Sequence, residues 1–331
     1  MIAQLDKYYL RTRVTKIFTR LISYLFFEGR PLTAPGRWFN PITFGILKLS
    51  QFMPEKTQLS PPVYVIGTGR SGTTILGKIL SIHRNVGYLN EPKAIWHYGL
   101  KNDDLNGNFT LEKGQYRIHA EDVNEEKKRK IRKSYSAFSL VTGNSQIVDK
   151  YPELIFRFEL VLSIFKNAKF ILIARNGYDT ALSIDGSSNK TERIGSEKKE
   201  NWWGLNDRKW KYLAQQVVPD FFPKKNISSI EKFEDNVNRG IVEWTVTMME
   251  AFELKNKYPQ NILIVKYEDL VNTPEIVLNE ISSFTGLNHD QKMIKFAQLS
   301  LVEHKGYRKP VISDLIKSEF QKTMKALHYE I

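Results

Sequence analysis

The chain has 331 residues, 41% of them hydrophobic and 26% charged, a globular composition long enough to bury a large core. Its formal net charge of +13 points to an anionic partner, while the absence of cysteine excludes disulfides, cysteine metal sites and thiol nucleophiles. The first 30 residues read as a basic amphipathic helix, with Leu5, Tyr9, Val14, Ile17, Phe18, Leu21 and Leu25 among Lys7, Arg11, Arg13, Lys16 and Arg20. Two readings stand: a helix packed on the main domain, or one lying on a membrane surface, where basic and aromatic residues suit the interface. The apolar run LISYLFF at 21–27 falls short of the roughly 18–20 residues that cross a bilayer, and no small-residue cleavage site follows it. The expectation is a cytoplasmic protein, with peripheral contact at the inner membrane surface through residues 1–30 as one option.

Beyond residue 60, apolar runs alternate with helical patterns. VYVIG (63–67), VGYL (86–89), QIVD (146–149), KFILIAR (169–175) and NILIVKY (261–267) read as strands. TTILGKILSIH (73–83), ELIFRFELVLSIF (153–165), GIVEWTVTMMEAFELKNKY (240–258) and PEIVLNEISSFTG (274–286) read as helices. This order predicts an α/β fold, a P-loop-like three-layer sandwich of about five parallel strands flanked by helices. It would span 56–331, preceded by a basic helical extension over 1–55. Ligands of such sheets bind beyond the carboxyl ends of the strands. Polar stretches interrupt the alternation at about 100–130 and 186–239. The second is an insertion carrying Trp202, Trp203, Trp210 and Tyr212, which serve either as a substrate wall or as a local hydrophobic cluster.

The first strand runs into GTGRSGTT (67–74). Gly67 and Gly72 keep the glycine spacing of a nucleoside-triphosphate loop, GxxxxGK[ST], but Thr73 stands where its lysine belongs. A strand before the loop and an apolar helix after it (Ile75, Leu76, Ile79, Leu80) aim backbone N–H groups and a helix dipole at an anion. Loss of the lysine argues against ATP or GTP chemistry, in which it acts with Mg²⁺ on the γ-phosphoryl group. Arg70 suits a less charged group such as a phosphosulfate. A small-molecule kinase is the enzymatic alternative, with Asp149 as the metal-binding aspartate it would need. A non-enzymatic glycan- or membrane-binding protein is the other. Nucleic-acid binding fits the charge, but no recognised module accompanies it.

These residues resemble a known family, the sulfotransferases that use 3′-phosphoadenosine 5′-phosphosulfate (PAPS). GTGRSGTT resembles their 5′-phosphosulfate loop. KFILIARNGYDTALS (169–183) resembles their 3′-phosphate segment, in which an arginine ends a strand and a serine follows eight residues later, here Arg175 and Ser183. VKYEDLVNTPEIVLNEISSFTGL (265–287) resembles a late strand–helix segment, and IVDKYPEL (147–154) a Lys-x-Pro segment that contains Lys150. The likeness covers most of 62–290, and its spacing is most similar to tyrosylprotein, glycan-type and bacterial members. In tyrosylprotein sulfotransferases a glutamate 21 residues after the loop arginine is the base; here that residue is Glu91.

The resemblance implies PAPS as donor, 3′-phosphoadenosine 5′-phosphate (PAP) as product and no metal. It assigns Gly69, Arg70, Ser71, Gly72, Thr73, Thr74, Arg175, Ser183 and Tyr267 to the nucleotide. Glu91 would take the acceptor proton, and Arg70 and Lys150 would stabilise charge on the transferring and leaving groups. Duller roles remain open: Glu91 capping a helix at Pro92, and Tyr267 as a core residue. His83 and His97 are competing bases. In HKGYRKP (304–310), any of Lys305, Arg308 and Lys309 can reach the nucleotide. For the acceptor the expectation is a hydroxyl of a carbohydrate or glycolipid, with a small molecule, lipid or peptide tyrosine as alternatives.

Overall fold

All five apolar runs enter one parallel sheet, and its strand order brings the glycine-rich loop to the centre. The computed structural model describes residues 2–31, 36–56, 59–191, 193–194, 199–302 and 309–331. Strands β1 (Val63–Gly67), β2 (Val86–Asn90), β3 (Gln146–Lys150) and β4 (Lys169–Ala174) come first. The insertion then adds the short strands β5 (Arg193–Ile194), β6 (Lys199–Asn201) and β7 (Gly204–Leu205), which pair antiparallel as a separate sheet. Strand β8 (Ile262–Lys266) completes the main sheet, in the order β2-β3-β1-β4-β8 with every pairing parallel.

Both faces of this sheet are covered, which is why its strands are apolar at successive positions rather than alternate ones. Val63, Val65, Val148, Ile171 and Ile173 belong to one core. Tyr64, Ile66, Ile147, Phe170 and Leu172, one residue out of phase, belong to the other.

Helices α1 (Lys7–Thr12), α2 (Thr15–Phe26) and α3 (Asn40–Ser50) precede the sheet. Helix α4 (Thr73–Ser81) follows β1, α5 (Lys93–Gly99) follows β2, and α6 (Glu125–Thr142) leads into β3. After β3 come α7 (Phe158–Ile164) and, past β4, α8 (Gly177–Thr191). The insertion contributes α9 (Arg208–Gln216), α10 (Val218–Phe221) and α11 (Lys224–Glu231) before the long α12 (Asn236–Lys257). The chain ends with α13 (Tyr267–Asn272), α14 (Pro274–Thr285), α15 (Gln291–Ser300) and α16 (Asp314–Ala326). Leu76 and Ile79 of α4, Leu278 of α14 and Ile294 of α15 fill the first core; Trp96 of α5, Phe138 of α6 and Trp244 of α12 fill the second.

Caps set several helix starts. Asn124 accepts from the Lys127 N–H at 3.0 Å to open α6, and Asp235 from the Asn238 N–H at 2.7 Å to open α12. The run at 153–165 does not form one helix. It divides into a 3₁₀ segment, Pro152–Arg157, and α7, because the buried Arg157 side chain turns to pair with Asp103 and the Tyr116 carbonyl.

The basic residues of the N-terminal helices are not all turned outward. Lys16 is buried, donating to the Val86 carbonyl at 2.8 Å and to Asn144 Oδ1 at 2.7 Å, and burial pulls its ammonium down to about 8. Arg20 is buried in an ion pair with Glu28, which also accepts the Asn90 N–H at 2.7 Å. Helix α2 is therefore clamped to β2 by polar contacts as well as apolar ones.

Candidate active site

Strand β1 ends in a loop whose backbone favours glycine at two positions. Gly67 and Gly72 have φ of 140° and 103°, values that penalise any side chain. A Cβ on Gly69 would collide with the Trp202 ring, and one on Gly72 with the Tyr267 ring. The cradle is thus glycine-lined because two aromatic rings already close its flanks. Ser71 differs from the sequence expectation in detail. Fully buried, it donates its hydroxyl to the Thr68 carbonyl at 2.7 Å, so it braces the loop from inside.

The two phosphate motifs, distant in sequence, meet at this loop. Arg70 Nε donates to Ser183 Oγ at 3.2 Å, and Arg175 Nη1 donates to the Arg70 carbonyl at 3.4 Å. Arg175 is 7% exposed at the end of β4, 5.1 Å from the Tyr267 ring centroid, and its backbone carbonyl accepts from Trp244 Nε1 at 2.8 Å. Its Nη2 is buried without a hydrogen-bond partner, 3.7 Å from Asp179. Asp179 stands at ion-pair distance but leaves that N–H without a hydrogen bond, and a buried guanidinium N–H is costly until an acceptor comes to it. The cradle and this arginine therefore fit an anionic nucleotide.

Across the same cavity stands Glu91. Like Arg70 (φ 71°) it is a non-glycine residue in the left-handed region, with φ 49°, a form of strain that gathers at functional sites. Its N–H donates to the Lys150 carbonyl at 2.7 Å, and its carboxylate pairs with Lys150 Nζ and, at 3.5 Å, with Lys93. Burial pushes the Glu91 carboxyl up, but Lys150 and Lys93 together overcome it and hold it well below the usual carboxylate range. Pro92 is the N-cap of α5 and no side chain caps that end, so the Glu91 carboxylate is spent on lysines, not on a helix.

A cavity of about 650 Å³ joins these groups. Gly69, Arg70, Gly72, Thr73, Thr74, Glu91, Arg175, Ser183 and Tyr267 all line it. Lys150 lines an adjoining cavity of about 280 Å³ that shares Thr74, Glu91 and Lys93 with the first.

Some wall residues lay outside the sequence reading: Lys78, Lys93, Asn106, Glu153, Asn201 and Lys209. Lys209 is buried between Glu243 at 2.7 Å and Glu153 at 3.3 Å. Glu153 stood three residues past Lys150 and was the one sequence signal available.

Other expectations separate. Of the four insertion aromatics only Trp202 faces the cavity; Trp203 and Trp210 are core residues packed edge to face at 5.7 Å, and the half-buried Tyr212 packs against the same core. His83 is buried against the Asn288 carbonyl at 3.0 Å, before β2, at the opposite end of the strand from Glu91. His97 packs between Phe44 and Phe109. Neither lines either cavity. Lys305 and Arg308 lie outside the described residues, and Lys309 donates to the Ile331 carbonyl and lines neither cavity.

Asp149 is removed from the cavity altogether. It is fully buried beneath the sheet, accepting from Tyr135 and, at 3.0 Å, from Trp96 Nε1, while its Oδ1 has no partner. Burial pushes its carboxyl up to about 7 against those hydrogen bonds. The folded chain thus keeps a proton that an unfolded aspartate releases near pH 4. That stabilisation is complete below about pH 4 and is lost as pH rises through about 7, up to about 4 kcal/mol in all. Asp149→Asn should flatten the pH dependence of the urea midpoint across this window. An unchanged slope would refute the assignment.

The profile of the Sulfotransferase family matches residues 61–291, well over half of the chain. No curated protein sequence matches. Among solved structures, sulfotransferase STF9 from Mycobacterium avium aligns with TM-score 0.50 at 10% identity, covering 99% of this chain and 93% of that one. The sulfotransferase domain from the curacin biosynthetic pathway aligns with TM-score 0.47 at 14% identity, covering 83% and 100%. A sulfotransferase from Alicyclobacillus acidocaldarius aligns with TM-score 0.46 at 12% identity, covering 82% and 97%. At 10% identity the Mycobacterium avium structure speaks for the fold alone, and the profile match over β1 to the start of α15 is what decides: this chain belongs to the sulfotransferase family.

Proposed function

We propose that the protein transfers a sulfuryl group from PAPS to a hydroxyl of a carbohydrate or glycolipid, with Glu91 as base. The observation that carries this reading is the meeting of Arg70, Ser183 and Arg175 on one side of a cavity whose other side holds Glu91, bridged to Lys150. The bound donor supplies a sulfuryl group on a phosphate leaving group; everything else falls to the chain. Loop N–H groups at the start of α4, with Thr73 and Thr74, hold the 5′ end of the nucleotide. Arg175, whose buried Nη2 has no hydrogen bond and only a long ion pair to Asp179, and Ser183 take the 3′-phosphate. Tyr267 packs beside them. Arg70 and Lys150 offset charge on the transferring and leaving oxygens.

Glu91 is ionised at neutral pH and therefore able to accept a proton, but it is weakly basic while two lysines hold it. Movement of Lys150 toward an anion on the loop side would free the carboxylate and raise its proton affinity. On the acceptor side, Trp202 offers an aromatic face, and Asn106 and Asn201 offer amides that suit sugar hydroxyls.

The direct test is labelled-sulfate transfer from PAPS to a panel of glycans, glycolipids, phenols and peptides. Transfer to phenols or peptides alone would overturn the acceptor; transfer to none would overturn the whole reading. Calorimetry with PAP tests the nucleotide site separately. Arg175→Ala should weaken PAP binding by about 10- to 150-fold, one lost charge-assisted contact being worth roughly 1.5–3 kcal/mol. Equal affinity of the native protein for adenosine nucleotides with and without a 3′-phosphate would sink the role of Arg175.

A further inference from the structure

We infer that the outer face formed by α2, α3 and the C-terminal end of α6 docks the protein on an anionic lipid surface. Isolated exposed apolar residues are ordinary, but here they are arranged in rows. Val14, Phe18, Leu21 and Leu25 fall at i, i+4, i+7 and i+11 along α2. Ile42, Ile46 and Leu49 repeat the spacing on α3, with Trp38 before it and Phe52 after it. Phe18 is 70% exposed, Leu49 66%, Trp38 78% and Phe52 82%. Between the rows runs a groove of about 500 Å³ lined only by apolar side chains, including Phe18, Leu25, Ile46 and Val141.

Charge decides the occupant. From Lys7 to Pro54 the one acidic residue is Glu28, which is buried and paired with Arg20; Glu55, exposed three residues past Phe52, is engaged by Arg132 at 3.0 Å. Lys48 on α3 and Arg37 just before it are exposed, as are Lys7 and Arg11 on α1, which leads into α2. A second copy docking through a two-fold axis would bring this patch against itself, cation facing cation, with the exposed acid at its edge, Glu55, already held by Arg132. An anionic bilayer supplies the missing sign and accepts the aromatic side chains at its headgroup boundary. Among the described residues no helix is long and apolar enough to cross a membrane, so the protein lies on the surface.

The face also adjoins the acceptor side. Asn108 and Phe109 line the recess under Trp38, and the same two residues line the cavity that holds Glu91 and Lys150. A bilayer on this face would meet the acceptor entrance, which favours a lipid-borne acceptor. That last step rests on the sulfotransfer reading; the docking itself does not.

Vesicle sedimentation of the full chain tests it without any reference to transfer. The wild type should pellet with vesicles containing phosphatidylglycerol far more than with phosphatidylcholine alone, and salt should weaken it. Phe18→Ser with Phe52→Ser should lower the partition by about ten- to a hundredfold, since each exposed aromatic contributes a buried side chain. Ile276→Ser, equally exposed on α14, should change nothing. Equal pelleting of wild type and double variant would overturn the proposal, as would no preference for anionic vesicles. A dimer in analytical ultracentrifugation that the double variant dissociates would also overturn it, by giving the face to a second copy.

Discussion

Glu91→Gln should lower turnover by about 10²–10⁴-fold while leaving PAP affinity close to that of the wild type. The amide keeps the size of the side chain and can still accept from Lys150, but it cannot take a proton. It also leaves Lys150 without its counter-charge and weakens that of Lys93, which keeps Glu153, so any change in affinity for an anionic nucleotide should be toward tighter binding. Initial rates of labelled-sulfate transfer and calorimetry with PAP, run on the same preparation, give both numbers. Full activity in Glu91→Gln would break the argument, because His83 and His97 face other parts of the molecule. Glu153→Gln is the informative control. Its carboxylate is engaged by Lys209, and the change should cost far less turnover.

Lys150→Met should act on both rate and pH profile. Loss of a cation near developing charge costs about 10²–10³-fold in turnover. Its removal also takes away the larger of the two attractions that hold the Glu91 carboxyl down, leaving burial to push it up. A base is active only when deprotonated, so the acidic limb of the kcat/KM profile should move to higher pH. A fall in rate with the acidic limb unmoved would show that Lys150 acts on the donor alone. An unchanged rate would remove it from the machinery.

Five strands were legible because each packs against both cores, fully in β1 and partly in the edge strand β8, and so carries apolar residues at adjacent positions. Arg70, Arg175 and Ser183 were legible because each phosphate motif is local, set by one strand and the helix after it. The remaining wall was not. Trp202 and Trp203 are neighbours in sequence yet point in opposite directions from the β6–β7 hairpin, one into the cavity and one into the core. Composition treats them as a pair; only the register of a short hairpin tells them apart. Lys209 likewise reads as one of many surface lysines until Glu153 and Glu243, from distant elements, close around it. The inward turn of Lys16 depends on a carbonyl of β2, 70 residues along the chain.

The strand order β2-β3-β1-β4-β8 has a consequence for how the protein comes into being. As the ribosome delivers the chain, β1 emerges before either of its neighbours: Val63 pairs with Val148 and with Lys169, 85 and 106 residues later. Until then a fully apolar strand and its glycine-rich loop have no edge to join, and the β1–β3 and β1–β4 pairings must close long loops. Nascent chains in which β3 has not yet emerged therefore expose a sticky strand for chaperones to cover. Limited proteolysis along a series of arrested lengths should find protection arriving abruptly rather than strand by strand.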